Sequence, residues 1–208
     1  MVRTWQLLMC ALLCAASIAH AQVFETAPNL NAAIVDDAYN GTQASMTCVV
    51  VTAAGAGLVQ KVKVTAYLDH TWIGDLTLKL VSPSNTVVTL MSRPGFAETA
   101  DDGTGGSGDS SNLVSTSPID FLDGGVKSAE LMGNSLASSQ AVCLDDGACI
   151  YDPNNGSAAA GKLATFIGQT MAGSWKFCAG DSGLGDTGAI QQVRLTFNDG
   201  IFADGFEP

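Results

Sequence analysis

Hydrophobic residues alternate with polar residues along most of this chain, with a period of two. In the segment 59–68, Val62, Val64 and Leu68 share one face, while Lys61 and Lys63 lie on the other. This period is typical of β-strands that bury one face and expose the other. The same kind of segment occurs at 45–52, 59–68, 76–80, 86–91, 174–179 and 190–197. Because Gly, Pro, Asn and Ser turns separate these segments, we expect an all-β sandwich.

The first 21 residues have the features of a secretory signal peptide. Arg3 supplies a positive charge, residues 7–16 form an apolar run too short to span a bilayer, and Ala19-His20-Ala21 is a small-x-small cleavage site. We therefore expect cleavage after Ala21, a secreted or periplasmic protein, and no membrane insertion after cleavage. The chain then divides into a signal peptide (1–21), a lead-in (22–44), a sandwich (45–198) and a C-terminal tail (199–208) ending in Gly-Phe-Glu-Pro.

The charge balance excludes some classes of partner. The chain carries 9 basic and 20 acidic residues, a formal net charge of −11. Binding to nucleic acid or to anionic lipid needs clustered Lys and Arg, so neither partner is expected. An acidic surface keeps a protein soluble, and it also leaves cation binding open.

The cysteines predict two disulfides. Of the six cysteines, Cys10 and Cys14 lie in the predicted signal peptide and four remain. An even number in an exported chain favours disulfides, with three pairings possible. Cys143 and Cys149 flank a short loop and are expected to close it, which leaves Cys48 with Cys178. The spacing does not match zinc-ligand patterns.

The run His70-Thr71-Trp72-Ile73-Gly74-Asp75-Leu76, followed by a strand and Ser82-Pro83, carries a family resemblance. It resembles the signature of the P domain (Homo B domain) of proprotein convertases, a module that accompanies a subtilisin-like protease domain. Further blocks resemble that family in order. They are Leu90 and Arg93, Gly105-Gly106-Ser107-Gly108-Asp109, Phe121 with Asp123, 173–181, and Gly188 with Ile190, Leu195 and Phe197. The resemblance implies a jelly-roll β-sandwich, similar to galactose-binding domains.

The residues of these blocks are predicted to be structural: His70, Thr71, Gly74, Asp75, Trp175 and Asp181. Gly74 allows a turn that strains other residues, and Asp75 and Thr71 are expected to cap that turn through their side-chain oxygens. Trp175 is large enough to fill the space between two sheets. His70 is expected to be a hydrogen-bonded structural histidine.

Two polar stretches, 96–113 and 135–160, are predicted to be long loops that bury little surface. Carboxylates in flexible loops are ligands for calcium. The sequence therefore offers a calcium site at Asp101, Asp102, Asp109 and Asp123, with Asp145, Asp146 and Asp152 as a second group. The competing interpretation is a solvated acidic loop.

The string Gly180-Asp181-Ser182-Gly183 copies the nucleophile motif of trypsin-like proteases. That chemistry needs a histidine base in contact with the serine. The histidine that remains after signal cleavage is His70, which lies in the P-domain motif, so we expect no catalytic residue.

We therefore predict a secreted, non-catalytic module that the resemblance associates with serine-endopeptidase-dependent proteolysis. Its partner is expected to be a secreted protease or another exported protein. One alternative is a carbohydrate- or surface-binding jelly roll using exposed aromatic residues, for which Tyr67, Trp72 and Tyr151 are available. A second alternative is a serine-type hydrolase acting through Ser182.

Overall fold

The computed structural model describes residues 21–154 and 162–198, which form eleven strands in two sheets. The predicted signal peptide up to residue 20 and the tail from residue 199 lie outside the described residues. The first six strands are β1 (Gln22–Glu25), β2 (Ala32–Ile34), β3 (Thr47–Ala53), β4 (Val62–His70), β5 (Leu76–Val81) and β6 (Val87–Ser92). The other five are β7 (Ile119–Phe121), β8 (Lys127–Ser128), β9 (Ile150–Asp152), β10 (Gly173–Asp181) and β11 (Gly188–Phe197). Four short 3-10 helices lie at Gln43–Ser45, Ile73–Asp75, Ala129–Leu131 and Leu163–Phe166.

The smaller sheet has four antiparallel strands in the order β3-β10-β5-β6. The larger sheet has seven strands in the order β1-β11-β4-β7-β9-β8, with β2 also paired with β11. Most of its pairings are antiparallel, but β9 is parallel to both β7 and β8. Side chains from both sheets form one hydrophobic core between them. The all-β sandwich expected from the alternation is therefore confirmed.

Trp175 lies in the middle of this core. Its indole is fully buried on β10 of the smaller sheet and lies 5.2 Å, centroid to centroid, from Phe197 on β11 of the larger sheet. Phe166 packs edge-on against the same indole at 5.1 Å. The indole Nε1 donates a hydrogen bond to the Met171 carbonyl at 2.9 Å, so the buried polar atom is satisfied. Trp175 thus fills the space between the sheets.

The segment 22–44 is not a lead-in separate from the sandwich. Its strands β1 and β2 both pair with β11 and extend one side of the larger sheet. Gln22 lies opposite Phe197, and Ile34 lies opposite Gly188, so the segment follows nearly the whole of β11. These strands are only 4 and 3 residues long, which is why the alternation did not reveal them.

The alternation in β5 is real in sequence, but both faces of the strand are buried. Thr77 and Lys79 lie between the leucines of this segment, on the polar face of the alternation, and both are buried. The Lys79 ammonium lies 2.5 Å from Asp101 Oδ2, and the Thr77 hydroxyl is 3.2 Å from that of Ser92. The predicted loop 96–113 therefore covers this face of the smaller sheet, contrary to the expectation that it buries little.

The second predicted loop, 135–160, is described up to residue 154, and this described part also contributes to the core. It contains β9, in which Tyr151 is fully buried between β7 and β8. Strands β7 and β8, which the sequence did not predict, join β9 to the larger sheet.

Two disulfides connect the four cysteines of the described chain. Cys48 and Cys178 lie directly opposite each other on β3 and β10 and are bonded, with their Cα atoms 4.1 Å apart. Cys143 and Cys149 close the loop between them, with a Cα separation of 4.6 Å. Within residues 21–154 and 162–198, no helix combines the length and apolar character needed to cross a membrane.

Candidate functional site

The His70–Leu76 motif lies where the two sheets meet at one end of the sandwich. His70 is the last residue of β4 in the larger sheet, and Asp181 is the last residue of β10 in the smaller sheet. His70 Nε2 lies 3.0 Å from Asp181 Oδ2, and both side chains are almost completely buried. This His70–Asp181 pair is therefore a polar connection between the two sheets.

The contacts of the imidazole define its hydrogen-bonding roles. Because a carboxylate oxygen accepts, Nε2 carries a proton and donates to Asp181. Nδ1 lies 3.1 Å from the Trp72 amide N and 3.0 Å from the Trp72 carbonyl O. A neutral ring accepts from that N–H, whereas a charged ring donates to that carbonyl. Both ring nitrogens are thus engaged, Nε2 with Asp181 and Nδ1 with Trp72 of the motif.

Asp181 holds three parts of the chain together. Besides His70, its carboxylate accepts a hydrogen bond from the Gly183 amide at 2.8 Å, which forms the turn after β10. Its carbonyl accepts a hydrogen bond from the Tyr39 amide at 2.8 Å. Loss of this carboxylate removes a partner from the buried His70 ring and from the partly buried Gly183 amide at once.

The sequence predicted that the Asp75 side chain caps its turn, but the structure shows no such hydrogen bond among the described residues. Its carboxylate is only 2% exposed, and Oδ1 has no hydrogen-bond partner among the described residues. The backbone carbonyl of Asp75 instead accepts from the Ser182 amide at 3.0 Å. Gly183 packs directly against the carboxylate, because a Cβ at this glycine would lie 2.1 Å from Asp75 Oδ2.

The surroundings of Asp75 favour its protonated form. Burial raises the pKa of this carboxyl above its ordinary value, and the charges of Asp181 and Asp186 raise it further. A hydrogen bond from the Ser107 side chain and the nearby His70 act in the opposite direction. At neutral pH, the ionised carboxylate is therefore a source of instability.

We expect Asp75→Asn to be more stable than the wild type at neutral pH. The folded pKa lies above 3.8, so the folded state binds its proton more tightly than the unfolded state. Wild-type stability consequently falls as pH rises from 3.8 through the folded pKa, and Asn removes this loss. Melting temperatures of both proteins, measured from about pH 3 to 8, test the sign, because the difference must shrink at low pH.

Asp102→Asn is the matched control for this measurement. Asp102 is exposed, and hydrogen bonds from the Thr104 amide and hydroxyl lower its pKa. Its ionised form is favoured in the folded state, so its contribution to stability has the opposite dependence on pH. A pH-independent difference between Asp75→Asn and the wild type would contradict the prediction.

Gly74 is needed for a different reason from the predicted one. Its φ angle is not in the left-handed region, so the turn itself does not require glycine. The backbone of Gly108 and Asp109 instead passes directly over it. A Cβ at Gly74 would lie 2.2 Å from the Gly108 carbonyl carbon. The two segments are also hydrogen-bonded, because the Gly74 amide donates to the Asp109 carbonyl at 2.9 Å.

Gly74→Ala is therefore expected to lower the free energy of unfolding by about 1–3 kcal/mol, the cost of overpacking. The contact is with backbone atoms, which cannot rotate away. Gly106→Ala is the control, because a Cβ there would meet only the Phe96 ring, at 3.3 Å. Urea unfolding of both variants measures the difference, and equal losses would show that the backbone approach is not the cause.

Thr71 also binds outside its own turn. Its hydroxyl donates to Asp186 Oδ1 at 2.7 Å and accepts from the Thr187 amide at 3.2 Å. The prediction that Thr71 caps the turn is wrong, and the residue instead joins the motif to the loop before β11.

Ser182 lacks the contacts of a catalytic serine. Its hydroxyl is buried and has no hydrogen-bond partner in the described part of the chain. His70 contacts Asp181 and Trp72 instead. The four residues 180–183 are the end of β10 and the turn after it. A casein hydrolysis assay with a Ser182→Ala control tests the hydrolase alternative directly.

The first predicted calcium ligands already have partners. Asp101 accepts hydrogen bonds from the Tyr39 hydroxyl and from Lys79 Nζ. Burial, together with this contact, raises the pKa of Tyr39 above its ordinary value. Asp102 accepts from the Thr104 amide at 2.9 Å. Both carboxylates therefore help to order the loop that covers β5.

Asp109 and Asp123 are separate from that contact. Asp109 accepts from the Ser111 amide at 2.9 Å. Asp123 accepts from the Leu163 and Ala164 amides at 2.9 and 2.6 Å and thereby caps the 3-10 helix at Leu163–Phe166.

The second group of acidic residues also binds backbone amides. Asp145, Asp146 and Asp152 accept hydrogen bonds from the amides of Ala141, Cys143, Ala148 and Gly124. Within the described ranges, no three side chains of His, Cys, Asp or Glu form a group that could hold a metal ion. Calcium binding stays a prediction, and a rise in melting temperature on adding Ca²⁺ would support it.

One buried ion pair was not predicted. Arg93 donates through Nε and Nη2 to Glu98 Oε2 at 2.9 and 2.7 Å, and through Nη1 to the Thr104 carbonyl at 2.8 Å. Arg93 is a non-glycine residue at φ 40°. The resemblance located Arg93 as a basic residue after the Ser-Pro turn, but no spacing in the sequence pointed to Glu98 as its partner.

None of the three aromatic residues offered for carbohydrate binding is exposed. Tyr151 is fully buried, and Tyr67 and Trp72 are partly buried. The Arg194 guanidinium lies 5.8 Å from the centre of the Tyr67 ring. The structure therefore provides no specific support for a sugar-stacking face built from these residues.

Curated proteins and solved structures provide comparisons for the chain as a whole. A search of curated proteins returned no match. Solved structures similar to this chain include the serine protease of Aeromonas sobria, and the complex of the Aeromonas sobria serine protease (ASP) with the chaperone (ORF2). Each has a TM-score of 0.45 and 16% identity, and the match covers 86% of this chain and 26% of the other. This chain thus spans about a quarter of the length of those chains.

A family model also matches the chain. Residues 59–118 match the model of the proprotein convertase P-domain. This span contains β4, the 3-10 helix at Ile73–Asp75, β5 and β6, and therefore the whole His70–Leu76 motif. The resemblance of the later block at 173–181 lies outside the matched span and stays a prediction. The resemblance predicted from the His70–Leu76 motif is therefore confirmed over residues 59–118, which match the proprotein convertase P-domain.

Proposed function

We propose that this chain is an exported, non-catalytic module that binds and stabilises a serine protease or another exported protein. The observation that carries the proposal is the match of residues 59–118 to the proprotein convertase P-domain. The P domain is an accessory module, and its resemblance to this chain implies a role beside a protease rather than a reaction of its own.

The geometry of the motif supports this role. His70 and Asp181 are engaged with each other across the two sheets, and the Ser182 hydroxyl is not in contact with a base. His70 and Asp181 therefore connect the two sheets of the sandwich by hydrogen bonding. A rigid sandwich of this kind is suited to presenting a surface to another protein.

Export is part of the proposal. Disulfides persist in oxidising compartments, and two of them connect the four cysteines of the described chain. The predicted signal peptide at 1–21 gives a route to that compartment. Mass spectrometry of the protein recovered from the medium or periplasm tests the cleavage of the signal peptide and the formation of the disulfides. The mature chain is expected to begin at Gln22 with its disulfides formed.

A pull-down tests the protease partner. The tagged, purified chain is incubated with the exported proteins of the organism that produces it, and we expect a serine protease to be recovered. The half-life of that protease at elevated temperature is then expected to lengthen when the chain is added. A second β-sandwich of similar net charge is the control. Recovery of no protease, with no change in protease half-life, would contradict the proposal.

A further inference from the structure

Strand β3 is an unpaired edge of the smaller sheet. It pairs with β10 on one side, and no strand of the described chain pairs with it on the other. Cys48 and Cys178 lie opposite each other with Cα atoms 4.1 Å apart, the close spacing of a pair without mutual hydrogen bonds. The backbone groups of Val49 and Val51 therefore point towards β10. Those of Cys48, Val50 and Thr52 point outward.

The outward groups have no partners within the described chain. Outside the ladder with β10, no hydrogen bond from the N–H or to the C=O of Cys48, Val50 or Thr52 occurs among the described residues. The opposite edge of the same sheet differs, because the Asn154 amide donates to the Leu90 carbonyl of β6 at 3.1 Å. The edge of β3 is therefore the open edge of this sheet.

Strand β3 also lacks the usual protection of an edge strand. Natural proteins block such edges with charged residues, proline, bulges or short strands. The seven residues of β3, TCVVVTA, contain no charge and no proline, and their pairing with β10 has no register shift. Val50 is 50% exposed, and a groove of about 480 Å³ lies beside the strand, between Val49, Val50, Thr52 and the segment 25–30.

We propose that the edge of β3 binds β3 of a second copy of this chain, antiparallel, about a two-fold axis through Val50. The sequence of the strand is self-complementary about that residue. The axis places Val50 opposite Val50 of the second copy, Cys48 opposite Thr52, and Val49 opposite Val51. β-Branched residues in such cross-strand positions stabilise a sheet, and a two-fold axis closes the assembly at a dimer.

The register agrees with the free backbone groups. The residues with outward N–H and C=O groups, Cys48, Val50 and Thr52, are those that the two-fold axis places opposite one another. Each opposed pair then exchanges two hydrogen bonds, and the two smaller sheets become one continuous sheet. A shift by one residue would oppose outward groups to inward groups and break this agreement.

Local charge does not oppose a second copy at this edge. No charged side chain lies on β3, so the pairing places no like charges opposite each other. The net charge of −11 on each chain opposes association at long range, and salt screens that repulsion. Dimerisation is therefore expected to strengthen as the salt concentration rises. This pairing goes beyond the proposed protease-associated role and does not depend on it.

Sedimentation of the purified chain is the first test. We expect a monomer–dimer equilibrium that shifts to the dimer in high salt. Val50→Lys places two like charges opposite each other on the axis and is expected to weaken dimerisation at least tenfold. Val126→Lys makes the same change at a valine that is 87% exposed and outside β3, and it is expected to leave the dimer unchanged. Far-UV circular dichroism confirms that both variants fold.

A crosslinking experiment tests the register. Val50→Cys is expected to form a covalent dimer on mild oxidation, because a hydrogen-bonded antiparallel pair has a Cα separation of about 5.5 Å, within reach of a disulfide. Val87→Cys, at a half-exposed position on β6, is expected to stay monomeric on a denaturing gel. A monomeric wild type at every concentration and salt, or equal weakening by Val126→Lys, would overturn the proposal. So would a monomer that binds an extended peptide of another protein at this edge.

Discussion

Asp181→Ala is expected to lower the free energy of unfolding by about 1–3 kcal/mol, the cost of leaving a buried hydrogen-bond donor without its acceptor. The substitution leaves His70 Nε2, which is fully buried, without its acceptor at 3.0 Å. It also removes the acceptor of the Gly183 amide. Since His70 and Asp181 end strands of different sheets, the loss acts on the connection between the sheets.

Chemical denaturation with the disulfides intact measures this effect. Glu25→Ala is the matched control, because it also removes a carboxylate that accepts a hydrogen bond from a basic side chain, here Arg194. The side chains of Arg194 and Glu25 are 39% and 43% exposed, and an exposed pair of this kind contributes about 0–1 kcal/mol. A loss in Asp181→Ala no larger than in Glu25→Ala would show that the His70–Asp181 pair does not stabilise the fold.

Trp175→Ala is expected to cost about 3–5 kcal/mol, the range for removing a large aromatic side chain from a core. The indole is fully buried and lies between Phe166 and Phe197, so its removal leaves a cavity between the two sheets. The carbonyl of Met171 also loses its donor. The variant should consequently unfold at much lower denaturant concentration.

Trp175→Phe separates the contribution of the filled core volume from that of the hydrogen bond to the Met171 carbonyl. It keeps an aromatic ring between the sheets but removes the Nε1 donor, so its loss of stability is expected to be clearly smaller than that of Trp175→Ala. Denaturation followed by far-UV circular dichroism measures both without relying on the removed fluorophore. Equal losses in the two variants would mean that the hydrogen bond to Met171, rather than the filled volume, holds this part of the core.

The longest strands were predictable because their local pattern and their environment agree. Over much of β4 and β11, a core lies on one side, so alternation in sequence becomes alternation in burial. Strand β5 shows the limit of this reasoning, because Thr77 and Lys79 alternate with leucines and yet are buried. Their burial depends on a distant loop carrying Asp101, and no local pattern encodes that contact.

The motif at His70–Leu76 shows the same division. Its residues identified the P-domain resemblance, and residues 59–118 match that family. The reason for Gly74 lies in the backbone of residues 108–109, and the neighbours of Asp75 come from residues 107 and 181–186. Sequence reasoning placed both residues in a turn of their own, because turns are the only role that adjacent residues can reveal.

The sequence by itself determined that this chain is an all-β sandwich with a P-domain motif, because strand periodicity and turn residues are local properties. The tertiary structure decided the rest: that His70 faces Asp181 across two sheets, that the polar loops cover β5, and that the edge of β3 has no partner strand in the described chain. These depend on contacts between residues far apart in the chain. Such contacts are set by how the sheets pack, and spacing along a single chain does not record them.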